Sequence, residues 1–293
     1  MSSYFQSRCI PAGVTEVDLL ATVAANVTVA LTEDVGSGDV SAMLIDPDTD
    51  ATARIITRDA GILSGIPWVA EVCRQVDPRI TIDPAAEDAE AVTAGQLLVN
   101  LAGPAASLLT AERTALNFLQ LLSGTATLTA EYVGLIAHTR ARLLDTRKTV
   151  PGLRLAQKYA VRCGGGENHR IGLYDQYLIK ENHIAAAGSI TAAVARARSL
   201  HPELKVEVEV EDLDQLQEAI DAGAEIAMVD NFSLDDTDKA AQLARGRLLL
   251  ESSGGINRET IVKVAEAGVD YISVGELTKT VRPLDLSMRF ETI

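Results

Sequence analysis

The sequence predicts an α/β fold built on parallel strands, and three features carry that expectation. From residue 141 onward six short aliphatic runs alternate with amphipathic segments: ARLLD (141–145), YLIK (177–180), KVEVEVE (205–211), EIAMVD (225–230), RLLLE (247–251) and YISVG (271–275). Repeated strand–helix alternation implies parallel pairing with right-handed crossovers, closing as either an open sheet or a barrel. A weak internal repeat agrees, since AGAEIAMVD (222–230) and AGVDYISVG (267–275) align as helix end, glycine, acid and strand. Polar or glycine residues also follow the runs, at the strand ends where a β/α barrel places its active site.

The elements follow in order. Apolar residues fall at helical spacing from Val17 to Leu31, and Thr32-Glu33-Asp34 leads into the turn VGSGD (35–39). Residues 51–64 alternate as a half-buried strand does, and 80–102 reads as a second group of short strands broken by acidic and glycine turns. The first third is thus a small α+β unit. A helix is predicted from Ala105 to His138, striped by Leu109, Leu116, Leu119 and Leu122, with Glu112 and Arg113 off the stripe. Farther on, Asp212 is the N-cap expected for LDQLQEAIDAG and Asn257 the one expected for RETIVKVAEAG, each segment ending at a capping glycine.

Composition narrows the function. An apolar fraction of 47% and 4% aromatics describe a compact aliphatic protein. The net charge of −15 is uneven: residues 140–183 carry nine Lys/Arg against four acids, so that window is +5 and the remainder −20. Such a body repels nucleic-acid phosphates but offers one local site to a small anion. Cys9, Cys73 and Cys163 form no ligand pattern, which suggests a reducing compartment and no structural zinc. The most apolar early stretch, residues 19–32, is too short to span a bilayer and follows no basic segment. The cytoplasm is the expected location.

The chemistry collects at the predicted strand ends. Arg147, Lys148, Arg170 and Lys180 cluster in sequence, and converging cations bind carboxylates or phosphates through charge-assisted hydrogen bonds. Glu209 interrupts an aliphatic alternation, so an inward carboxylate there needs a partner or a ligand. With Asp230 it is suited to hold either Mg²⁺ or ribose hydroxyls. SSGG (252–255) and Gly275 resemble a backbone cradle for phosphate. No Walker motif, GxGxxG or serine nucleophile elbow is present. The natural reading is a phosphorylated sugar reacting with a small carboxylic acid.

At this point DTRKTVPGLRLAQKYAVRCGGGENHRIGLYDQYLIKENH (145–183) closely resembles the signature of the quinolinate phosphoribosyltransferases, also called decarboxylating nicotinate-nucleotide pyrophosphorylases. LTEDVGSGDVS (31–41), ERTALNFLQLLSGTAT (112–127), VEVEVE, MVDNFS, LESSGGI and VDYISVGELT agree in order and spacing, so the resemblance covers essentially the whole chain. It implies an open, incomplete α/β barrel over 115–276 and an N-terminal α/β sandwich over 1–114, joined by 277–293. It implies a homodimer, or a hexamer of such dimers, with an active site shared between subunits. The implied reaction joins quinolinate to 5-phosphoribosyl-1-pyrophosphate (PRPP) with Mg²⁺, giving nicotinate mononucleotide, pyrophosphate and CO₂ for NAD synthesis.

Carried onto this sequence, the resemblance assigns Arg147, His169, Arg170 and Lys180 to the quinolinate carboxylates, with Arg113 from the partner. Lys148 would meet pyrophosphate, Glu209 and Asp230 the ribose and metal, and Ser253, Gly254 and Gly275 the 5-phosphate. The glycine run would let His169 and Arg170 enter the pocket. Three positions depart from the family pattern. Lys279 stands where histidine is usual and keeps the ability to pair with phosphate, Glu276 replaces a small residue, and Glu167 replaces an apolar one. Glu167 is expected to face away from the ligand. Rival readings are a nicotinate-using relative, a Schiff-base enzyme acting through Lys180, and a non-catalytic sensor of the same ligands.

Overall fold

A computed structural model describes residues 4–292. The chain divides into two compact units, one of residues 1–130, 149–165 and 277–293, the other of 131–148 and 166–276. The long helix expected near 105–138 runs from Ala105 to Ile136, and the division falls inside it rather than at 114.

The first unit opens with α1 (Glu16–Val35), whose start is fixed by a reciprocal capping box between Thr15 and Asp18. Then come β1 (Asp50–Thr57), β2 (Gly61–Ile62), α2 (Ile66–Val76), β3 (Thr81–Pro84), β4 (Ala91–Val92), β5 (Leu97–Pro104) and α3 (Ala105–Ile136). In β1 the residues Ala51, Ala53, Ile55 and Thr57 are buried and their neighbours are not, so one face of the strand meets the core. The later elements in chain order are β6 (Arg142–Leu144), α4 (Arg154–Cys163), β7 (Tyr177–Ile179), α5 (Glu181–Ala187), α6 (Ile190–Leu200), β8 (Val206–Val210), α7 (Leu213–Asp221), β9 (Ile226–Asp230), α8 (Leu234–Ala244), β10 (Leu249–Ser253), α9 (Ile261–Glu266), β11 (Tyr271–Ser273), α10 (Glu276–Lys279) and β12 (Leu286–Thr292).

An antiparallel sheet ordered β12-β1-β5-β3 forms the layer of the first unit. Helix α4 joins its core: Phe5 meets Trp68 and Tyr159 edge to face, and Trp68 meets Tyr159 at a tilt, with ring centroids 5.6–6.3 Å apart. Asp88, fully buried, accepts the N–H groups of Gly65 and Ile66 at the start of α2 and the hydroxyl of Tyr159. Two of the three glycines that end α4 have separate reasons to be there. A side chain at Gly164 would collide with the carbonyl of Ala126, and Gly165 has φ +85°.

The second unit is a six-stranded sheet in the order β6-β11-β10-β9-β8-β7, with every pairing parallel. Strands β6 and β7 are its edges and do not pair with each other, so the barrel is open. The alternation of aliphatic runs and amphipathic segments reads through correctly here, including Asp212 as N-cap of α7. Asn257 caps the turn before α9 instead, accepting from the N–H groups of Glu259 and Thr260, while Thr260 precedes the helix.

Candidate active site

The carboxyl ends of the parallel strands surround a cleft of about 470 Å³, lined by Thr146, Arg147, Lys148, His169, Arg170, Leu178, Lys180, Glu209, Met228, Asp230, Ser253 and Ser273. Strand register explains why these side chains converge. Glu209 pairs with Met228 and Asp230 with Ser253 across the parallel ladder, so alternate residues of β8, β9 and β10 present their polar groups at one level. Residues 145–148 leave the end of β6. The segment carrying His169 and Arg170 is stitched beside it, with Glu167 N–H donating to the Leu143 carbonyl at 2.8 Å and Asp145 N–H to the Glu167 carbonyl at 3.2 Å.

Asp145 extends that stitching. Fully buried, it accepts the backbone N–H of His169 at 2.9 Å and the side-chain amide of Asn168 at 2.7 Å. Asp175 accepts the N–H groups of Ile171 and Gly172, closing the next turn of the segment. Neither carboxylate stood out in the sequence beside the louder Arg and Gly residues, though an acid directly after an aliphatic run was the available signal at 145.

The cleft is electropositive. Four cations, Arg147, Lys148, Arg170 and Lys180, face two acids, Glu209 and Asp230. Arg147 Nε is buried without a hydrogen-bond partner. Burial and the neighbouring Arg147 charge lower the pKa of Arg170 below the usual guanidinium value. Two guanidiniums lining one cleft suit it to an anion. Lys180 Nζ is in direct contact with Glu209 Oε2, which supplies the partner that an inward Glu209 requires. Asp230 Oδ2 accepts from Asn231 Nδ2 at 2.8 Å. Gly254 (φ +92°) packs so closely on Asn231 that a side chain there would collide with it, and a Cβ at Gly275 would lie 3.0 Å from Lys148 Cδ.

Arg113 is exposed on α3 and Lys279 is exposed at the end of α10, and both belong to the first unit. Glu167 is paired with Arg142 at 3.1 Å and is not part of the cleft lining. Glu276 accepts the hydroxyl of the buried Tyr132 at 2.5 Å, so its carboxylate is held by a specific partner. Cys163, beside the glycine run, is buried, and burial pushes its thiol well above the ordinary value, which suppresses the reactive thiolate.

Family models for the quinolinate phosphoribosyl transferase N-terminal domain and C-terminal domain match residues 39–123 and 125–289. A probable carboxylating nicotinate-nucleotide pyrophosphorylase of Bacillus subtilis is 42% identical over 257 residues, covering 87% of this chain and 89% of that protein. Its counterpart from Mycobacterium leprae is 41% identical, covering 88% and 94%. The solved nicotinate-nucleotide pyrophosphorylase of Francisella tularensis superposes with a TM-score of 0.91 at 51% identity, over 93% of this chain and 97% of that one.

Proposed function

The chain belongs to the quinolinate phosphoribosyl transferase family, and from that premise we propose how its cleft performs the family's reaction. The enzyme transfers the phosphoribosyl group of PRPP to quinolinate with decarboxylation, yielding nicotinate mononucleotide, pyrophosphate and CO₂ in de novo NAD biosynthesis.

Arg147 and Arg170, lining one cleft, carry the site assignment. Two guanidiniums, one with a buried unsatisfied Nε, suit a dicarboxylate better than a monocarboxylate. Lys180 completes this anion subsite, with His169 beside it. Ser253, Gly254 and Gly275 form the cradle for the 5-phosphate, and Lys148 meets the pyrophosphate. Glu209 and Asp230 flank the ribose. Their oxygens come from neighbouring strands into one cleft, the hard, oxygen-only donor set that Mg²⁺ prefers. Bound there with PRPP, the ion would help neutralise the phosphate oxygens.

As the bond to pyrophosphate weakens, positive charge develops on the ribosyl carbon. Glu209 and Asp230 stabilise that charge, while Lys148 neutralises the departing oxygens. Arg147, Arg170 and Lys180 hold the pyridine ring so that its nitrogen meets the carbon in line. The alkylated ring is then an electron sink for the adjacent carboxylate, and its loss needs orientation rather than a dedicated acid or base.

A homodimer, or a hexamer built from it, fits the exposed Arg113 on α3, which would enter the partner's cleft. Exposed Met43 and Leu44 in one unit and Leu173 and Tyr174 in the other are apolar surface of the kind that assembly covers. No described helix is long and apolar enough to cross a membrane, and a cytoplasmic location agrees with the free cysteines. The deciding assay supplies PRPP, Mg²⁺ and ring-labelled quinolinate, with nicotinate in parallel. Mononucleotide from quinolinate and little from nicotinate is the expected result, whereas a preference for nicotinate would overturn the dicarboxylate site.

A further inference from the structure

Beneath the cleft lies a second polar layer that the reaction chemistry does not use. In VEVEV of β8, Glu207 and Glu209 point to the same face, and in LLESS of β10 so do Glu251 and Ser253. The outer members line the cleft. The inner ones, Glu207 and Glu251, are 0% and 1% exposed. Two adjacent carboxylates that deep are costly unless something organises them. Burial first, and the Glu207 charge second, push the Glu251 carboxyl up to about 8, so it holds a proton at neutral pH.

His169 connects this layer to the cleft. Its Nε2 lies 3.1 Å from Glu207 Oε2 and 3.7 Å from Glu251 Oε2. On the other side of the ring, Nδ1 accepts the backbone N–H of Arg170 at 2.8 Å. An Nδ1 that accepts has its lone pair free, so the ring proton sits on Nε2 and faces the carboxylates. The three side chains are spaced as metal ligands would be; with the ring proton on Nε2, the 3.1 Å approach to Glu207 is a charge contact. Glu207 Oε2 also accepts the Gln176 side-chain amide at 2.7 Å, and the Gln176 carbonyl accepts from Arg170 Nη1 at 3.4 Å. Glu207 thus grips the 168–176 segment at both ends, on either side of Arg170.

We propose that Glu207, backed by Glu251, is a positioning residue for dicarboxylate recognition: through His169 and Gln176 it fixes the segment that aims Arg170 into the cleft. The inference rests on the reading that Arg170 receives a quinolinate carboxylate.

The test measures quinolinate and PRPP KM separately in Glu207→Gln, Gln176→Leu and Arg170→Ala, with ¹⁵N spectra of the His169 ring in the wild type and Glu207→Gln. Glu207→Gln should raise quinolinate KM by about 10-fold, the scale of one charge-assisted contact, and leave PRPP KM within about twofold. Gln176→Leu, which keeps both carboxylates, should give a smaller rise of the same selectivity and carries the test if Glu207→Gln fails to fold. The wild-type ring should show its proton on Nε2, and Glu207→Gln should weaken that preference. Equal changes in both KM values, or a ring proton on Nδ1, would overturn the inference. A quinolinate KM raised by Arg170→Ala but unmoved by Glu207→Gln and Gln176→Leu would sink the positioning role alone. No effect of Arg170→Ala would remove the site reading and this inference with it.

Discussion

Lys180, directly after β7, and Glu209, on the neighbouring parallel strand β8, close on each other as an ion pair inside the cleft. Each is assigned to a different substrate, Lys180 to quinolinate and Glu209 to the ribose of PRPP, so the pair joins the two subsites. Removing the cation alone leaves the mostly buried Glu209 carboxylate facing an incoming anion. Lys180→Met should therefore raise quinolinate KM by about 10- to 100-fold, and Lys180→Met/Glu209→Gln should lose less than the product of the single effects. A double-mutant cycle on quinolinate and PRPP KM measures this; strict additivity would show that the two residues act separately.

Arg147 tests the planar geometry of the anion subsite. Lysine in its place keeps the charge but cannot offer two parallel donors. Arg147→Lys is expected to raise quinolinate KM by about 10-fold and to narrow the preference for quinolinate over nicotinate. A lysine variant indistinguishable from wild type would mean that only charge matters there.

The phosphate cradle has a sharper steric limit. Gly254→Ala meets both an unfavourable φ of +92° and the Asn231 side chain, whereas Gly255→Ala meets a φ of +60° and open space. The second change should cost about 1–2 kcal/mol of backbone strain, visible as a lowered melting temperature with PRPP KM little altered. The first should raise PRPP KM strongly. Comparable PRPP kinetics in the two variants would remove Gly254 from the cradle.

Asp88 makes stability depend on pH. Burial raises its carboxyl to about 6, above the ordinary carboxylate value, so the folded state binds that proton more tightly than the unfolded state does. Its contribution is fullest below about pH 4 and is lost as pH rises to about 6, by about 3 kcal/mol in all. Asp88→Asn should flatten that fall relative to wild type in chemical denaturation at a series of pH values. A parallel dependence in both proteins would place the proton elsewhere.

The proposed sharing of the active site between subunits is open to a complementation test. Arg113→Ala and Arg147→Ala should each be weak alone, yet refolding them together should form mixed dimers in which one cleft has both arginines. Recovered activity reports the exchange of Arg113 between subunits. Mixtures no more active than their components would confine Arg113 to its own chain.

The fold was legible where periodicity was strong. All six aliphatic runs became the parallel strands, although the RLLLE run sits two residues later as LLESS. What periodicity could not show is pairing over distance: that β12 joins β1, or that α4 packs in the antiparallel unit despite lying between two parallel strands. The cleft was legible through charge density at 147, 148, 170 and 180. Its supports were not: Asp145 directly follows an aliphatic run and Glu207 shares the alternation of Glu209, but nothing in the sequence says what they or Glu251 hold. Their importance comes from burial, which a sequence states only indirectly. Arg113 and Lys279 show the converse: family resemblance named them, and nothing in their local sequence distinguishes them from surface charge.

The pairing of β12 with β1 also sets an order of events during synthesis. Residue 51 is matched with residue 292 and residue 57 with residue 286, so the antiparallel sheet waits for a strand made more than two hundred residues later. On the ribosome the parallel strands emerge in full while the β1 edge is still open, a contact of very high sequence separation that is slow to close. The nascent chain must shield that edge from its neighbours, and loss of the final strand would expose it permanently as a template for aggregation.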